Sequence, residues 1–340
     1  MMAVSHSAFG LGIVVGSGVL TASFPVPMKL SRAWKWENTW FVYATLALIV
    51  IPILLAARSV PHLFRFYASV PARDLLLPAL FGFGWGIAQV TFGLSIARVG
   101  MAMAFAIVIG LSALLGSVVP LLAFHPEALM GRAGGVLLLA AVFLAWGLVL
   151  YARAGREREA NLAAAGTSGG PFRNGLLLCI FTGCFGSMIN MGFVFGGNIA
   201  DRAMRQGVSA ASSTLCIWAV VLGAGYLPNA AYTLYLLWRN DTAGTFSKSF
   251  PREALLALVA AVLWLFGMLG YGVGAGKMGE YGDSIGFAVC MSVLLLWSSA
   301  LGIFAGEWRL APSHSRLRMQ FGMALITVSM FALGFDSLLH

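Results

Sequence analysis

Residues 81–122 read FGFGWGIAQVTFGLSIARVGMAMAFAIVIGLSALLGSVVPLL, two apolar runs parted by one charged residue, Arg98. In the first run Gly82, Gly86, Gln89 and Gly93 follow one another at intervals of four, three and four residues. On a helix that spacing draws a single stripe. Small residues along one face let helix backbones approach closely inside a bilayer. Gln89 lies in the stripe, so its amide is expected to face a neighbouring helix or a cavity rather than lipid. An interhelical hydrogen bond and a substrate contact are both open to it.

Part of the stretch occurs twice. Trp85, Phe92-Gly93, Arg98 and Gly100 recur as Trp264, Tyr271-Gly272, Lys277 and Gly279, every position displaced by 179. Weak self-similarity of this kind marks carriers built from duplicated halves.

The 340 residues are 60% hydrophobic and only 10% charged, against about 25% charged in a soluble domain. The class is a polytopic membrane protein. A formal charge of +9 would suggest nucleic acid in a soluble chain. Here the basic residues lie in short loops, where they orient the spans and meet anionic lipid. Cys179, Cys184, Cys216 and Cys290 fall inside apolar runs without paired spacing and read as small interior residues. The five histidines lie in loops or tails, so no metal site and no cofactor is expected. No nucleotide loop or nucleophile elbow appears either, which argues against an enzyme. The N-terminus lacks a basic n-region, so the first apolar run reads as a retained span.

With about 20 apolar residues per crossing, ten spans are expected: 7–27, 39–57, 75–97, 101–124, 133–152, 175–197, 209–238, 254–276, 284–305 and 319–338. The seventh holds Gly223, Gly225 and Pro228, which predicts a break or kink. The polar connection 153–174 reads as a flexible linker between a first five-helix half, 1–152, and a second, 175–340. An odd number of spans per half turns the second half over, making the repeat inverted. Fourteen of the 21 Lys and Arg residues fall in loops after odd-numbered spans. That bias puts the linker in the cytoplasm and both termini outside. Trp36 and Trp40 read as interface anchors.

No Lys, Arg, Asp or Glu lies in the middle of any expected span. A buried charge at that depth is kept only for function, so a neutral substrate is favoured. The spans instead hold amide, hydroxyl and aromatic groups, which hydrogen-bond sugar hydroxyls and cover the C–H face of a ring. The candidate contacts are Trp85, Gln89, Thr91, Ser187, Asn190, Asn229, Tyr232 and Tyr271. The alternative for each is a helix-to-helix bond. Coupling to an ion needs a titratable group, and Asp283 with Glu37 is the preferred pair, Glu280 the next. A carboxylate desolvated at the head of the ninth span would have its pKa raised. A solvated flank is the alternative for all three.

The segments AWKWENTW (33–40), 81–122, YGVGAGKMGEYGDSIG (271–286) and GEW (306–308) resemble the L-rhamnose–proton symporter family, in the drug/metabolite transporter superfamily. Glu37, Trp85, Gly93, Arg98, Gly100, Asp283, Glu307 and Trp308 match the family pattern, and Lys277 stands at a basic position. The resemblance implies ten helices in two inverted halves and uptake of a neutral deoxyhexose driven by protons across a bacterial inner membrane. Gln89, Thr91 and Phe92 depart from the third span of enterobacterial rhamnose carriers, so the carrier is better supported than rhamnose itself. The expectation is therefore an all-α secondary transporter working by alternating access, its partners a neutral sugar, protons (sodium as the alternative) and the lipid bilayer, with no nucleic acid. The rivals are an exporter or uniporter of another neutral metabolite and a sugar-sensing membrane receptor.

Overall fold

The computed structural model describes residues 2–124, 132–164, 172–278, 282–309 and 311–336. Among them every regular element is helical. This follows from the composition: apolar runs of this length in a bilayer must satisfy their backbone groups internally. Helices α1 (Met2–Ser23) and α2 (Pro25–Lys29) form the first run, parted at Phe24 because Pro25 opens the second helix. The next run comprises α3 (Trp36–Ala44), a π-helical turn (Thr45–Val50) and α4 (Ile51–Ser59). Pro52 at the head of α4 has no N–H to give and crowds the carbonyl one turn back, which widens the preceding turn. A short α5 (Leu63–Ser69) leads into α6 (Ala72–Val99), followed by α7 (Met101–Phe124) and α8 (Arg132–Ala164). The sixth run is α9 (Phe172–Gly186), α10 (Met188–Phe195) and α11 (Gly197–Arg205). The chain closes with α12 (Ala210–Arg239), α13 (Phe250–Lys277), α14 (Gly282–Phe304) and α15 (Ser313–Asp336).

Among the described residues seven stretches are long and apolar enough to cross a membrane: Ala8–Lys29, Trp36–Ser59, Ala72–Val99, Gly134–Arg158, Phe172–Arg205, Ser212–Arg239 and Phe250–Ala275. Helices α7, α14 and α15 stand at the other three expected positions, and α7 and α14 carry shorter apolar stretches. The seventh run is continuous: α12 passes through Pro228 unbroken, and the interruptions fall in the first, second and sixth runs instead. The first part of the polar connection, 153–164, is helical where a flexible linker is expected, and 165–171 lie outside the described residues. Helix α8 continues to Ala164, because RAGREREANLAA is rich in the helix formers Ala, Arg, Glu and Leu. Of the four free cysteines, Cys179, Cys216 and Cys290 are buried and Cys184 is exposed.

The helices group into two compact units. The first holds Met1–Ser23, Thr91–Cys184 and Leu263–His340, and the second holds Phe24–Val90 and Phe185–Val262. Each unit therefore draws on both halves of the sequence. In the first, α8 packs on α15 and α14 on α1, α7 and α15. In the second, α12 is the central helix, packed by α3, the π turn, α4, α10 and α11. Helix α6 runs parallel to α12 at very close range. A Cβ on Gly82 would fall 2.2 Å from the Val221 carbonyl oxygen, and one on Gly86 the same distance from that of Gly225. The glycine stripe is what lets these backbones touch.

Candidate functional site

The polar and aromatic groups of the second unit form a column beside α12. On α3, Trp36, Trp40 and Tyr43 stand at i, i+4 and i+7 and so share one face. Trp36 stacks on Trp40 with ring centres 5.0 Å apart, and Trp40 leans on Tyr43 at 5.2 Å. Phe24 stacks on Tyr43 at 5.5 Å, and Tyr232 meets Trp36 edge-on at 6.2 Å.

Amides fix this ladder in place. The Trp40 indole N–H donates to Asn229 Oδ1 at 2.8 Å. Asn229 Nδ2 donates to the carbonyls of Gly86 (3.1 Å) and Gly225 (2.8 Å), and the residue is fully buried. Gln89 Nε2 donates to the Tyr43 hydroxyl at 3.0 Å. Below them Thr45, at the start of the π turn, lies 3.0 Å from the Tyr226 hydroxyl. At the head of α3, Glu37 Oε1 accepts from Asn240 Nδ2 (3.0 Å) and Thr242 Oγ1 (2.8 Å). Glu37 is buried, at 6% exposure, and is the one formal charge touching the column among the residues named. Such a surface suits a neutral polyol: flat rings for C–H faces, amides and hydroxyls for O–H groups.

The expected contact residues divide between the units. Trp85, Gln89, Ser187, Asn190, Asn229 and Tyr232 belong to the second, Thr91 and Tyr271 to the first. Trp85 packs over Gly225, and Ser187 is buried at the junction of α9 and α10 with half-buried Asn190 beside it. Thr91 lies 2.8 Å from the Thr182 hydroxyl. Of the repeated residues, Trp264 and Gly93 are buried, Arg98 and Gly272 are exposed, and Lys277 Nζ sits 5.8 Å from the Phe9 ring centre. Gly279 and Glu280 lie outside the described residues. Asp283 falls in the first turn of α14, and its side chain is likewise outside them. An apolar recess of about 390 Å³ lined by Tyr67, Ala72, Leu75, Leu76, Ala79 and Val220 offers a sugar little, since the Tyr67 hydroxyl is committed to the Cys216 carbonyl.

The first unit holds a second polar constellation, at the corner between α6 and α7. Gly100 makes the turn alone, with φ +84°. The Arg158 Nη2 donates to the Val99 carbonyl at 3.0 Å, at the negative end of α6. The Glu307 carboxylate accepts the Met101 and Ala102 N–H groups at 2.9 and 3.2 Å, at the positive end of α7. Arg158 also lies over the Trp308 ring, 5.3 Å from its centre, and Tyr151 meets that ring edge-on. The motifs RVGM (98–101) and GEW (306–308) thus meet in one place.

Sequence reading missed the roles of Trp36, Trp40, Tyr43 and Arg158. The W-x3-W-x2-Y spacing carries the signal for the first three. Arg158, 4% exposed, has none beyond its helical neighbours.

A family model described as L-rhamnose-proton symport protein (RhaT) matches residues 6–337. An L-rhamnose-proton symporter of Cronobacter sakazakii is 27% identical over 318 residues, covering 91% of each chain. Proteins of the same name from Yersinia pestis and Yersinia pseudotuberculosis are 26% identical over 317 residues, covering 89% of this chain and 91% of theirs. No solved structure matches the chain.

Proposed function

The chain belongs to the L-rhamnose-proton symport protein family, and from that premise we propose that the aromatic and amide column of the second unit binds L-rhamnose or a related deoxyhexose for proton-driven uptake. The family is one of secondary transporters, not of enzymes. The observation that carries the site is Gln89. The residue is 5% exposed and its amide N–H donates to the Tyr43 hydroxyl, beside the Trp36–Trp40–Tyr43 ladder. In this reading Gln89, Asn190 and Tyr232 meet sugar hydroxyls, Trp36 and Trp85 cover the ring, and Asn229 orients Trp40. Ser187 completes the set within the second unit, and Thr91 and Tyr271 are proposed as polar contacts belonging to the first.

Asp283, Glu37 and Glu280 are the proposed coupling carboxylates, with protons rather than sodium as the driving ion. The proposed architecture is ten spans in a bacterial inner membrane with both termini periplasmic. Two inverted halves, 1–152 and 175–340, would work by alternating access. Support for the inversion comes from α6 and α13. Each is 28 residues long and opens with an Arg–acid pair, Arg73-Asp74 and Arg252-Glu253, again 179 apart.

The test is uptake of labelled L-rhamnose into proteoliposomes under an imposed proton gradient, with a panel of competing sugars at two external pH values. Accumulation that follows the gradient and is displaced by deoxyhexoses is the expected result; uptake indifferent to the gradient would overturn proton symport. Asp283→Asn is expected to abolish accumulation while leaving sugar exchange, and accumulation that survives it removes Asp283 from the coupling path.

A further inference from the structure

Asp74 and Glu253 occupy equivalent places in the chain and opposite ends of the second unit. Each follows an arginine in the first turn of a 28-residue helix. Helix α6 runs alongside α12, with Gly82 on Val221 and Gly86 on Gly225, so Asp74 is level with the first turns of α12. Glu253 is joined to the turn leading into α3, whose head meets the far end of α12 through Glu37, Asn240 and Thr242. At 1.5 Å per residue the two acids are about 40 Å apart along α12.

Their surroundings are not equivalent. Glu253 is fully buried and accepts four hydrogen bonds: from Ser31 Oγ at 2.5 Å, from the Arg32 and Ala33 N–H groups at 3.3 Å each, and from Arg252 Nη1 at 3.1 Å. Arg252 Nη2 also donates to the Leu30 carbonyl, at 3.1 Å. That carboxylate staples the head of α13 to the turn after α2. Asp74 has a looser pair of partners on α11. Asn198 Nδ2 donates to it at 3.2 Å, and Arg202 Nε stands 3.7 Å away, beyond hydrogen-bond length. The Asp74 and Arg202 side chains are 19% and 40% exposed. A solvated pair at that distance holds little, whereas a buried carboxylate with four donors holds much.

We propose that Asp74 and Glu253 are reciprocal gate staples, the structure being fastened at the Glu253 end and only loosely held at the Asp74 end. In the opposite-facing state Asp74 keeps Asn198 and closes on Arg202 to hydrogen-bond length, while Glu253 releases Ser31 and the 32–33 backbone. The proposal rests on the alternating-access reading, whose two states would exchange these contacts. Two equal staples would lock both ends together. Inequality between repeat-equivalent acids is what a structure caught in one of two exchangeable states has to show.

The test uses full-length protein with its four native cysteines replaced and one reporter cysteine at a time. Ala257→Cys, one turn beyond Glu253 on α13, is fully buried here. Ala72→Cys, at the head of α6, is exposed. Glu253→Gln is expected to raise maleimide labelling at Ala257→Cys about tenfold, as a minor state becomes populated, and to lower it at Ala72→Cys. Asp74→Asn is expected to leave Ala257→Cys protected. The double variant weakens both ends, so its labelling should return toward that of the unsubstituted protein, and Glu253→Asp should stay close to it. Labelling that rises at both ends in each single variant, and rises further in the double, would mean two ordinary structural anchors and overturn the proposal, as would no change at all. L-rhamnose binding followed by tryptophan fluorescence on the same samples separates the two failures. Absent binding in the unsubstituted protein counts against the sugar site, and intact binding with unresponsive reporters counts against the gates.

Discussion

The indole N–H of Trp40 donates to the side-chain oxygen of Asn229 at 2.8 Å, and that bond brings α3 against α12. The same amide reaches α6 through the Gly86 carbonyl. Three helices are therefore registered by one side chain, at a place where Gly86 and Gly225 allow backbones to touch. The ring ladder on α3 inherits its orientation from that knot.

Asn229→Ala leaves the Trp40 N–H without its acceptor and the Gly86 carbonyl without its donor. Unpaired buried groups cost about 1–3 kcal/mol, and interhelical bonds in membranes fall at the lower end of that range. Thermal unfolding in detergent is expected to show a loss of about 1–2 kcal/mol. Asn229→Asp should lose more, since it keeps the acceptor for Trp40 and gives up both donors while adding a buried charge. An unchanged unfolding temperature in both variants would show that the knot does not hold the helices.

How much of this was legible in the sequence depends on period. The stripe of Gly82, Gly86, Gln89 and Gly93 announced a close helix contact because small residues at helical spacing have few other uses in a bilayer. Which helix it touches was not legible, since the Val221 and Gly225 carbonyls carry no residue-type signal. Trp36 and Trp40 read as interface anchors because both stand near the start of a span. Trp40 is 1% exposed, and only its spacing to Tyr43 hinted at an interior face. The π turn was hidden for another reason: Pro52 forbids one hydrogen bond, and several backbone rearrangements can absorb that loss. Arg158 reads as part of a linker because charge dominates 153–158, yet the same residues are good helix formers and carry α8 onward.

Helix contact at α6 gives a graded test. Gly86→Ala would press a methyl group onto the backbone of Gly225 and the Pro228 ring, neither of which can yield without moving α12. Overpacking of this kind costs about 1–3 kcal/mol. Gly84→Ala meets the Met188 sulfur instead, a flexible side chain that can turn aside. Unfolding temperature and folded yield should fall for Gly86→Ala and change little for Gly84→Ala; equal effects would mean that α6 and α12 are not in tight contact.

Gln89 separates binding from stability. Gln89→Leu removes the amide assigned to the sugar together with the bond to Tyr43, and one hydrogen bond at about 1.4 kcal/mol corresponds to tenfold. KM for L-rhamnose is expected to rise about tenfold with a small change in maximal rate. Tyr43→Phe removes the partner and leaves the amide, so its KM should rise less. A KM that is the same in Gln89→Leu as in the unsubstituted protein would take Gln89 out of the site.

The corner at Gly100 can be separated into backbone strain and electrostatics, because Gly207 supplies an internal comparison. Both glycines are left-handed, at φ +84° and +86°, and an alanine there costs about 1–2 kcal/mol on conformation alone. At Gly207 nothing lies within 4 Å of the added carbon, whereas at Gly100 it would fall 2.7 Å from Glu307 Oε2. Gly100→Ala therefore also pushes the carboxylate off the Met101 and Ala102 N–H groups. That adds about 1 kcal/mol for a lost helix cap and its favourable dipole contact. Glu307→Gln weakens the same cap by removing its charge. If one contact is responsible, the double variant Gly100→Ala/Glu307→Gln will unfold less easily than the sum of the two single effects requires. Strict additivity in denaturant or thermal unfolding would show that Gly100 acts through strain alone, and that the pairing of the 98–101 and 306–308 motifs has another cause.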